Sequence, residues 1–395
     1  MWPRCTAASP TSGTRTWPSD PLSRRHGAEG CRAVEPLPAT RRRSPTRRCV
    51  MACSVSRCAV SHRLRGSTMR FGVSIPADGR FADPAAIRAV VEAAEDLGYD
   101  SAWFSDHIAV PAYATEGTSP CWYDALACCL VGAGWTRRLR FGTDVLVLPY
   151  RHPLVVAKLV ATADQLSGGR LTIGAGVGYI RGEFEALGTP AYEQRGAVTT
   201  EYLDVLRTAW ESSGSLSFQG NYLQFTDVHL EPNPRQRPFP LWAGGNGAAA
   251  RRRAALHANG WHPLFPSPSR YKDGREEILR LRAAAGLSDT FTFSLSTALA
   301  RIRLSDRDGE RAASVRRDLP DEYDYRPDVP TTETGRPYFV GTPDELASDV
   351  RTYASAGVDH VVLRFWTPAQ PIPVTEFVSQ MERWMRHVAP TTRGT

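Results

Sequence analysis

Residues 139–178 read LRFGTDVLVLPYRHPLVVAKLVATADQLSGGRLTIGAGVG, and they hold a complete strand–helix–strand unit. The apolar run Leu139–Leu148 is strand-sized. Pro153 opens a helical pattern that reaches Leu166, and Ser167-Gly168-Gly169 stops it. Proline suits the first turn of a helix and glycine its C-terminal end. A second short strand, Leu171–Ala175, follows at once. Two strands joined through a helix in this way are expected to lie parallel.

The alternation extends in both directions. Upstream, strands Phe71–Ile75 and Ser101–Ser105 flank a helix over Pro84–Leu97, with Asp83 as N-cap, Pro84 in the first turn and Gly98 after the end. A further helix is expected from about Trp122 to Gly134. Downstream come a helix near 197–212 and strands at Leu241–Ala243, near Gly260–Leu264 and at Phe291–Ile302. A helix over Pro343–Ala356, bounded by Thr342 and Gly357, leads to strand His360–Phe365 and a last helix of about Val374–His387. Eight strands with crossover helices predict an α/β fold, a (β/α)8 TIM barrel spanning residues 69–395 with insertions. Two stretches break the alternation. Ser217–Phe225, with Gly220-Asn221 at its centre, reads as a hairpin outside the barrel. The polar stretch 304–337, with Pro320, Pro327 and Pro330, reads as a long loop or lid.

Residues 1–68 differ in kind. They carry 13 Arg, no Lys and three acidic residues, and show neither helical nor strand periodicity. They are expected to be a disordered Arg/Pro/Ser-rich extension. The whole chain has 46 Arg and only two Lys, Lys158 and Lys272, a bias that GC-rich coding produces. Patterning begins abruptly at Met69. The extension therefore reads as upstream DNA translated from a misplaced start rather than as a basic tail. No clean apolar stretch follows its twin arginines, so it does not read as an export signal either.

Without the extension, the net charge of +7 becomes −3, from 35 basic and 38 acidic residues. No basic stripe suited to a nucleic-acid backbone remains, and no apolar run is long enough for a membrane helix. The body holds three cysteines, Cys121, Cys128 and Cys129. An odd number with a vicinal pair in an apolar helix suggests packed thiols in a reducing, cytoplasmic setting. No cysteine or histidine spacing suggests a metal site.

In a barrel of this kind the chemistry sits at the C-terminal ends of the strands. Those ends include Ile75-Pro76, Ser105-Asp106-His107, Thr143-Asp144-Val145, Gly176-Val177-Gly178-Tyr179, Ala243-Gly244-Gly245 and Trp261-His262. Two glycine-rich loops on one rim let backbone N–H groups approach an anion. Alone, the first loop has a ligand-free tight turn as its second reading. Its G-x-G-x-G spacing is not the dinucleotide pattern, and no acid ends a strand about 20 residues later. His107 is the group best placed to exchange a proton near neutral pH; a purely structural histidine is the other reading of that residue.

The motifs MRFGVSIP (69–76), WFSDH (103–107), FGTDVLVLPYRHP (141–153), QLSGGRL (165–171), GAGVGY (174–179), EFEALG (183–188) and WAGG (242–245) together resemble the luciferase-like monooxygenase superfamily. Within it they look most like oxidoreductases that use the 8-hydroxy-5-deazaflavin coenzyme, coenzyme F420. The resemblance implies that His107 stands beside the cofactor ring and that Asp144–Val145 forms a strand bulge with a cis peptide behind it. It also places Gly176–Gly178 and Gly244-Gly245 against the cofactor. Ile75, Asp106, Val177, Tyr179 and Ala243 complete the expected cofactor-binding set, with Ile75 and Val145 as the apolar surface under the ring. Tyr179 stands where the sugar-phosphate dehydrogenases carry Glu, and Ile108-Ala-Val-Pro111 lacks the Trp that follows their His. Glucose-6-phosphate specificity is accordingly not implied.

The activity that follows is hydride transfer between a deazaflavin and a small organic substrate, with His107 as proton donor or acceptor. The rival is a two-component FMN-dependent monooxygenase that takes reduced flavin from a separate reductase and uses O2. A flavin carrier without turnover and a metal-dependent hydrolase rank below these. The resemblance also suggests a homodimer. A chain beginning at Met69 is expected to fold and to bind cofactor as the full chain does. Circular dichroism and a cofactor titration of the shortened chain check this, and loss of binding would make the extension a working part.

Overall fold

The computed structural model describes residues 69–116, 119–288, 290–304, 330–366 and 372–393. The first 68 residues and most of the expected lid at 304–337 therefore lie outside the described residues.

The elements run β1 (Arg70–Ser74), α1 (Pro84–Asp96), β2 (Ser101–Phe104), α2 (Ala125–Trp135), β3 (Arg140–Val147), α3 (Pro153–Ser167) and β4 (Leu171–Gly176). Then come α4 (Arg181–Leu187), α5 (Arg195–Glu211), β5 (Ser215–Gln219), β6 (Gln224–His229), β7 (Leu241–Gly244), α6 (Ala248–His257), β8 (Gly260–His262) and α7 (Pro268–Ala284). The chain continues through β9 (Thr292–Ser296), β10 (Arg301–Ile302), β11 (Val340–Gly341), α8 (Pro343–Ser355), β12 (His360–Leu363) and α9 (Val374–His387). Eight strands close a barrel in the order β1-β12-β9-β8-β7-β4-β3-β2. Every neighbouring pair is parallel. The fold is the expected (β/α)8 barrel.

Local chemistry sets the element ends. Asp83 accepts from the Ala86 N–H and Asp124 from the Ala127 N–H, each satisfying an orphan donor of a first helical turn. Thr342 and Glu345 form a reciprocal capping box at α8. Gly168 ends α3 in the left-handed conformation, at φ 75°. The Gly220-Asn221 hairpin is present as antiparallel β5–β6, and the Glu201 carboxylate accepts from three backbone N–H groups of its turn.

Two expectations need correction. The run Phe291–Ile302 is not one strand. Only Thr292–Ser296 belongs to the barrel, and Arg301–Ile302 pairs with Val340–Gly341 in a separate two-stranded sheet. The run is apolar enough to read as continuous. However, Thr297 Oγ1 takes the Arg364 N–H and the Ala300 N–H bonds to the Arg364 carbonyl, so the chain turns out of the barrel there. The helix expected from Trp122 begins only at Ala125, because the Asp124 side chain caps it. Trp122 is thereby left in the preceding loop.

The barrel lumen is filled by two indoles. Trp103 and Trp242 stack with ring centroids 5.1 Å apart and pack against Val362. Space for them comes from glycine. A Cβ on Gly72 or Gly142 would meet Trp103, and one on Gly260 would meet Trp242. Gly142→Ala is accordingly expected to cost about 1–3 kcal/mol through overpacking, read as a lower denaturation midpoint. An unchanged midpoint would mean that Trp103 has room to turn.

Candidate active site at the C-terminal mouth of the barrel

The layer above the indoles is polar. The Asp144–Val145 peptide is cis, and the β3–β4 register shifts between Thr143 and Leu146, the bulge that the resemblance implies. The bulge sends the two side chains in different directions. The Asp144 carboxylate turns into the lumen. There it meets His262 Nε2 at 3.0 Å, the Ser296 hydroxyl at 2.9 Å and Arg364 Nη2 at 3.1 Å. Ser105 donates to the Asp144 carbonyl. Burial opposes ionisation of Asp144, but the His262 bond and charge, the Arg364 charge and the Ser296 bond outweigh it, so its carboxyl lies below the usual range.

The Val145 side chain is half-buried and lies between two glycines. A Cβ on Gly176 would meet Val145 Cγ2, and one on Gly244 would come within 2.9 Å of Val145 Cγ1. These glycines thus make room for Val145. The sequence read them as openings for an anion and, through the resemblance, as cofactor contacts. Gly178 and Gly245 have positive φ, 78° and 103°, and carry the two loops away from the rim. Val177 and Tyr179 are half-buried on the first loop, and Ala243 is buried beneath the second. Ile75 is only 1% exposed and belongs to the main core. The apolar surface at the mouth is therefore Val145 with its flanking glycine backbone.

Asp106 and His107 part company. The Asp106 carboxylate takes two bonds from Arg151, at 2.7 and 2.8 Å, and one from the Val147 N–H. It braces the loop after β3 and does not pair with His107. The partner of His107 is Glu183, in the first turn of α4. His107 Nδ1 and Glu183 Oε2 are 2.8 Å apart, and the two residues are 8% and 0% exposed. Glu183 also accepts from the Tyr150 hydroxyl and from the Ile108 and Ala109 N–H groups. Burial opposes its charge, yet the His107 bond and charge, with these donors, hold its carboxyl below the ordinary value. Burial and Glu183 together push the Tyr150 phenol up.

An ionised Glu183 can only accept, so Nδ1 of His107 carries a proton. Nε2 then faces the Tyr179 hydroxyl at 3.3 Å. The Trp122 ring lies 4.6 Å from the imidazole. Glu183, Tyr150 and Trp122 escaped the sequence reading. Only the position of Glu183 within EFEALG, four residues after Tyr179, hinted at a role.

A flat ring fits this mouth on two observations. No side chain projects from Gly176 or Gly244 beside Val145. Arg364 Nε and Trp366 Nε1, both buried, find no acceptor among the described residues. No cluster of three or more His, Cys, Asp or Glu among those residues is placed to hold a metal. Cys121, Cys128 and Cys129 are free thiols, and burial pushes Cys128 up to about 12. No helix of the described residues is long and apolar enough to cross a membrane.

A parallel barrel with a bulged third strand and a histidine at the end of the second defines a class of oxidoreductase. The luciferase-like monooxygenase model matches residues 69–360, and the chain belongs to that family. It is 27% identical over 291 residues to an F420-dependent glucose-6-phosphate dehydrogenase of Amycolatopsis mediterranei, covering 68% of this chain and 85% of that one. It is 26% identical over 285 residues to an FMNH2-dependent dimethylsulfone monooxygenase of Pseudomonas putida, covering 65% and 75%. Its fold matches that of monooxygenase RslO1 from Streptomyces bottropensis, with TM-score 0.66, 22% identity and coverage of 82% and 99%. An F420-dependent secondary alcohol dehydrogenase matches with TM-score 0.66, 21% identity and the same coverage. The protein is a luciferase-like oxidoreductase.

Glu183 has a folded-state pKa below its unfolded value of about 4.3. Its ionised form therefore stabilises the fold above that pH, and the stability is lost as pH falls through the lower folded value. Glu183→Gln is expected to flatten the acid side of the stability–pH curve in urea titrations. An acid limb identical to that of the parent would assign the sensitivity to other carboxylates.

Proposed function

We propose that the barrel transfers hydride between coenzyme F420 and a small organic substrate, and that Glu183, His107 and Tyr179 handle the accompanying proton. The observation that carries this reading is the continuous chain of hydrogen-bonding groups Glu183–His107–Tyr179 at the mouth. Oxidation of an alcohol, or reduction of a carbonyl, moves one proton on oxygen for each hydride on carbon, and needs a group to take or give it.

When bound, the deazaflavin supplies the ring carbon that takes or gives the hydride. The residues around it have separate tasks. Val145 and the Gly176 and Gly244 backbone form the flat apolar support. The positive-φ loops at Gly178 and Gly245 give backbone room to the cofactor tail. Arg364 offers its Nε–H to an acceptor on a bound molecule. Glu183 fixes the tautomer of His107 and stabilises the imidazolium that forms when Nε2 accepts a proton. Tyr179 donates to Nε2 in the resting state, so a substrate proton reaches His107 either directly or through that hydroxyl. Trp122 covers the imidazole and limits its contact with water.

The second reading, FMN-dependent monooxygenation with a separate reductase, is supported by the similarity to the dimethylsulfone monooxygenase, nearly equal in identity to that of the dehydrogenase. Side-by-side titration with coenzyme F420, FMN and FAD, read by quenching of tryptophan fluorescence, separates the two. Binding of FMN alone would sink the deazaflavin assignment.

His107→Ala is expected to lower turnover by about 10²–10⁴ while leaving cofactor affinity nearly unchanged. Tyr179→Phe is expected to lower turnover by less, because Nε2 remains available to substrate. Loss of cofactor binding in His107→Ala with normal turnover at saturating cofactor would make His107 a binding contact instead.

A further inference from the structure

The opposite, N-terminal end of the barrel holds a cavity of about 960 Å³. That is at the upper end of the size of small-molecule sites, roughly 300–1,000 Å³. Trp103 and Trp242, the indoles that close the lumen, line it from within. Arg70, Ser101, Arg140 and His360 line it at the starts of β1, β2, β3 and β12.

Its charges do not balance. Arg70 enters no ion pair among the described residues. Among the described residues Arg140 bonds to neutral acceptors, the Gly169 carbonyl and the Gln236 side chain. The carboxylates nearby have other hydrogen-bond partners, and Asp359 and Asp164 act on Arg70 and Arg140 only through their charge. Asp100 accepts from the Phe71 N–H and pairs with Arg393. Glu211 lies 4.0 Å from Arg207. Asp359 takes the Phe293 N–H, and Asp164 takes the Gln236 donors. Arg70 and Arg140 therefore act together on the lining. Burial first, and then these two arginines and His262, push the His360 pKa far down, so its imidazole is neutral.

The imidazole sits in a short hydrogen-bonded row. Trp103 Nε1 can only donate, and it donates to Ser101 Oγ at 2.7 Å. Ser101 Oγ lies 3.0 Å from His360 Nε2. In the tautomer in which the Ser101 hydroxyl donates to Nε2, the hydrogen lies on Nδ1. That Nδ1 is buried and has no partner, on a residue only 3% exposed. A buried donor without an acceptor is costly.

Two guanidinium groups that enter no ion pair among the described residues and a buried ring nitrogen without a partner lie beside a wall of two indoles. We propose that this cavity is a second ligand site that binds a small organic anion, its acidic head on Arg70, Arg140 and His360 Nδ1 and its apolar body against Trp103 and Trp242. The site is separate from the mouth of the barrel, and it stands whatever cofactor the mouth takes.

Benzoate serves as the probe and benzyl alcohol as its uncharged counterpart, each titrated into the full chain by calorimetry. Benzoate is expected to bind, and benzyl alcohol to bind at least about tenfold more weakly. Arg70→Gln is expected to weaken benzoate by at least about tenfold, and Arg364→Gln at the mouth to leave it unchanged. Arg140→Gln is expected to act like Arg70→Gln. Because Arg140 also braces Gly169 and Gln236, the half-buried Arg70 decides the matter if that variant does not fold. No benzoate binding, equal binding of the alcohol, or unchanged affinity in Arg70→Gln would overturn the proposal. Loss of binding in Arg364→Gln would also overturn it, by moving the benzoate to the barrel mouth.

Discussion

The Asp144 carboxylate holds the barrel mouth together. It comes from the bulge of β3 and reaches His262 on β8, Ser296 on β9 and Arg364 just after β12, while Ser105 after β2 donates to its backbone carbonyl. Five of the eight strands therefore meet at one residue. A buried carboxylate is tolerated only with partners of this kind, because its desolvation must be offset by charge and hydrogen bonds. With the carboxylate turned inward, Val145 takes the place beside Gly176 and Gly244. The polar floor and the apolar support are two consequences of the same bulge.

A second network does for the histidine what the first does for the bulge. Arg151 bridges Asp106 and Asp124, at 2.7 and 2.6 Å, and so ties the end of β2 to the start of α2 and the loop after β3. Asp106 is fully used in that bridge, which frees His107 to pair with Glu183. The pairing joins β2 to α4, and four donors converge on one carboxylate. Holding an imidazole in one tautomer requires such over-determination, because a rotating ring would present either nitrogen to the mouth.

Much of this was legible in the sequence. The alternation of strands and helices, the caps at Asp83 and Thr342, the hairpin at Gly220-Asn221 and the position of His107 at a strand end all follow from local rules of period and turn chemistry. The misreadings also have local causes. Phe291–Ile302 is one apolar run, and its division depends on hydrogen bonds to Arg364, more than 60 residues away. Trp122 belongs to an apolar stretch that continues into α2, and only the Asp124 cap shows that it stands outside the helix.

The sequence by itself determined the barrel and the strand ends where chemistry belongs, because periodicity and turn residues act over a few neighbours. The tertiary structure alone decided which side chains meet. Asp106 stands next to His107 on the chain but serves Arg151, whereas Glu183, 76 positions away, is the partner of His107. Gly176 and Gly244, which read as openings for a ligand, also make space for Val145. Such pairings depend on barrel closure and side-chain volume, and neither quantity is written in the order of the residues.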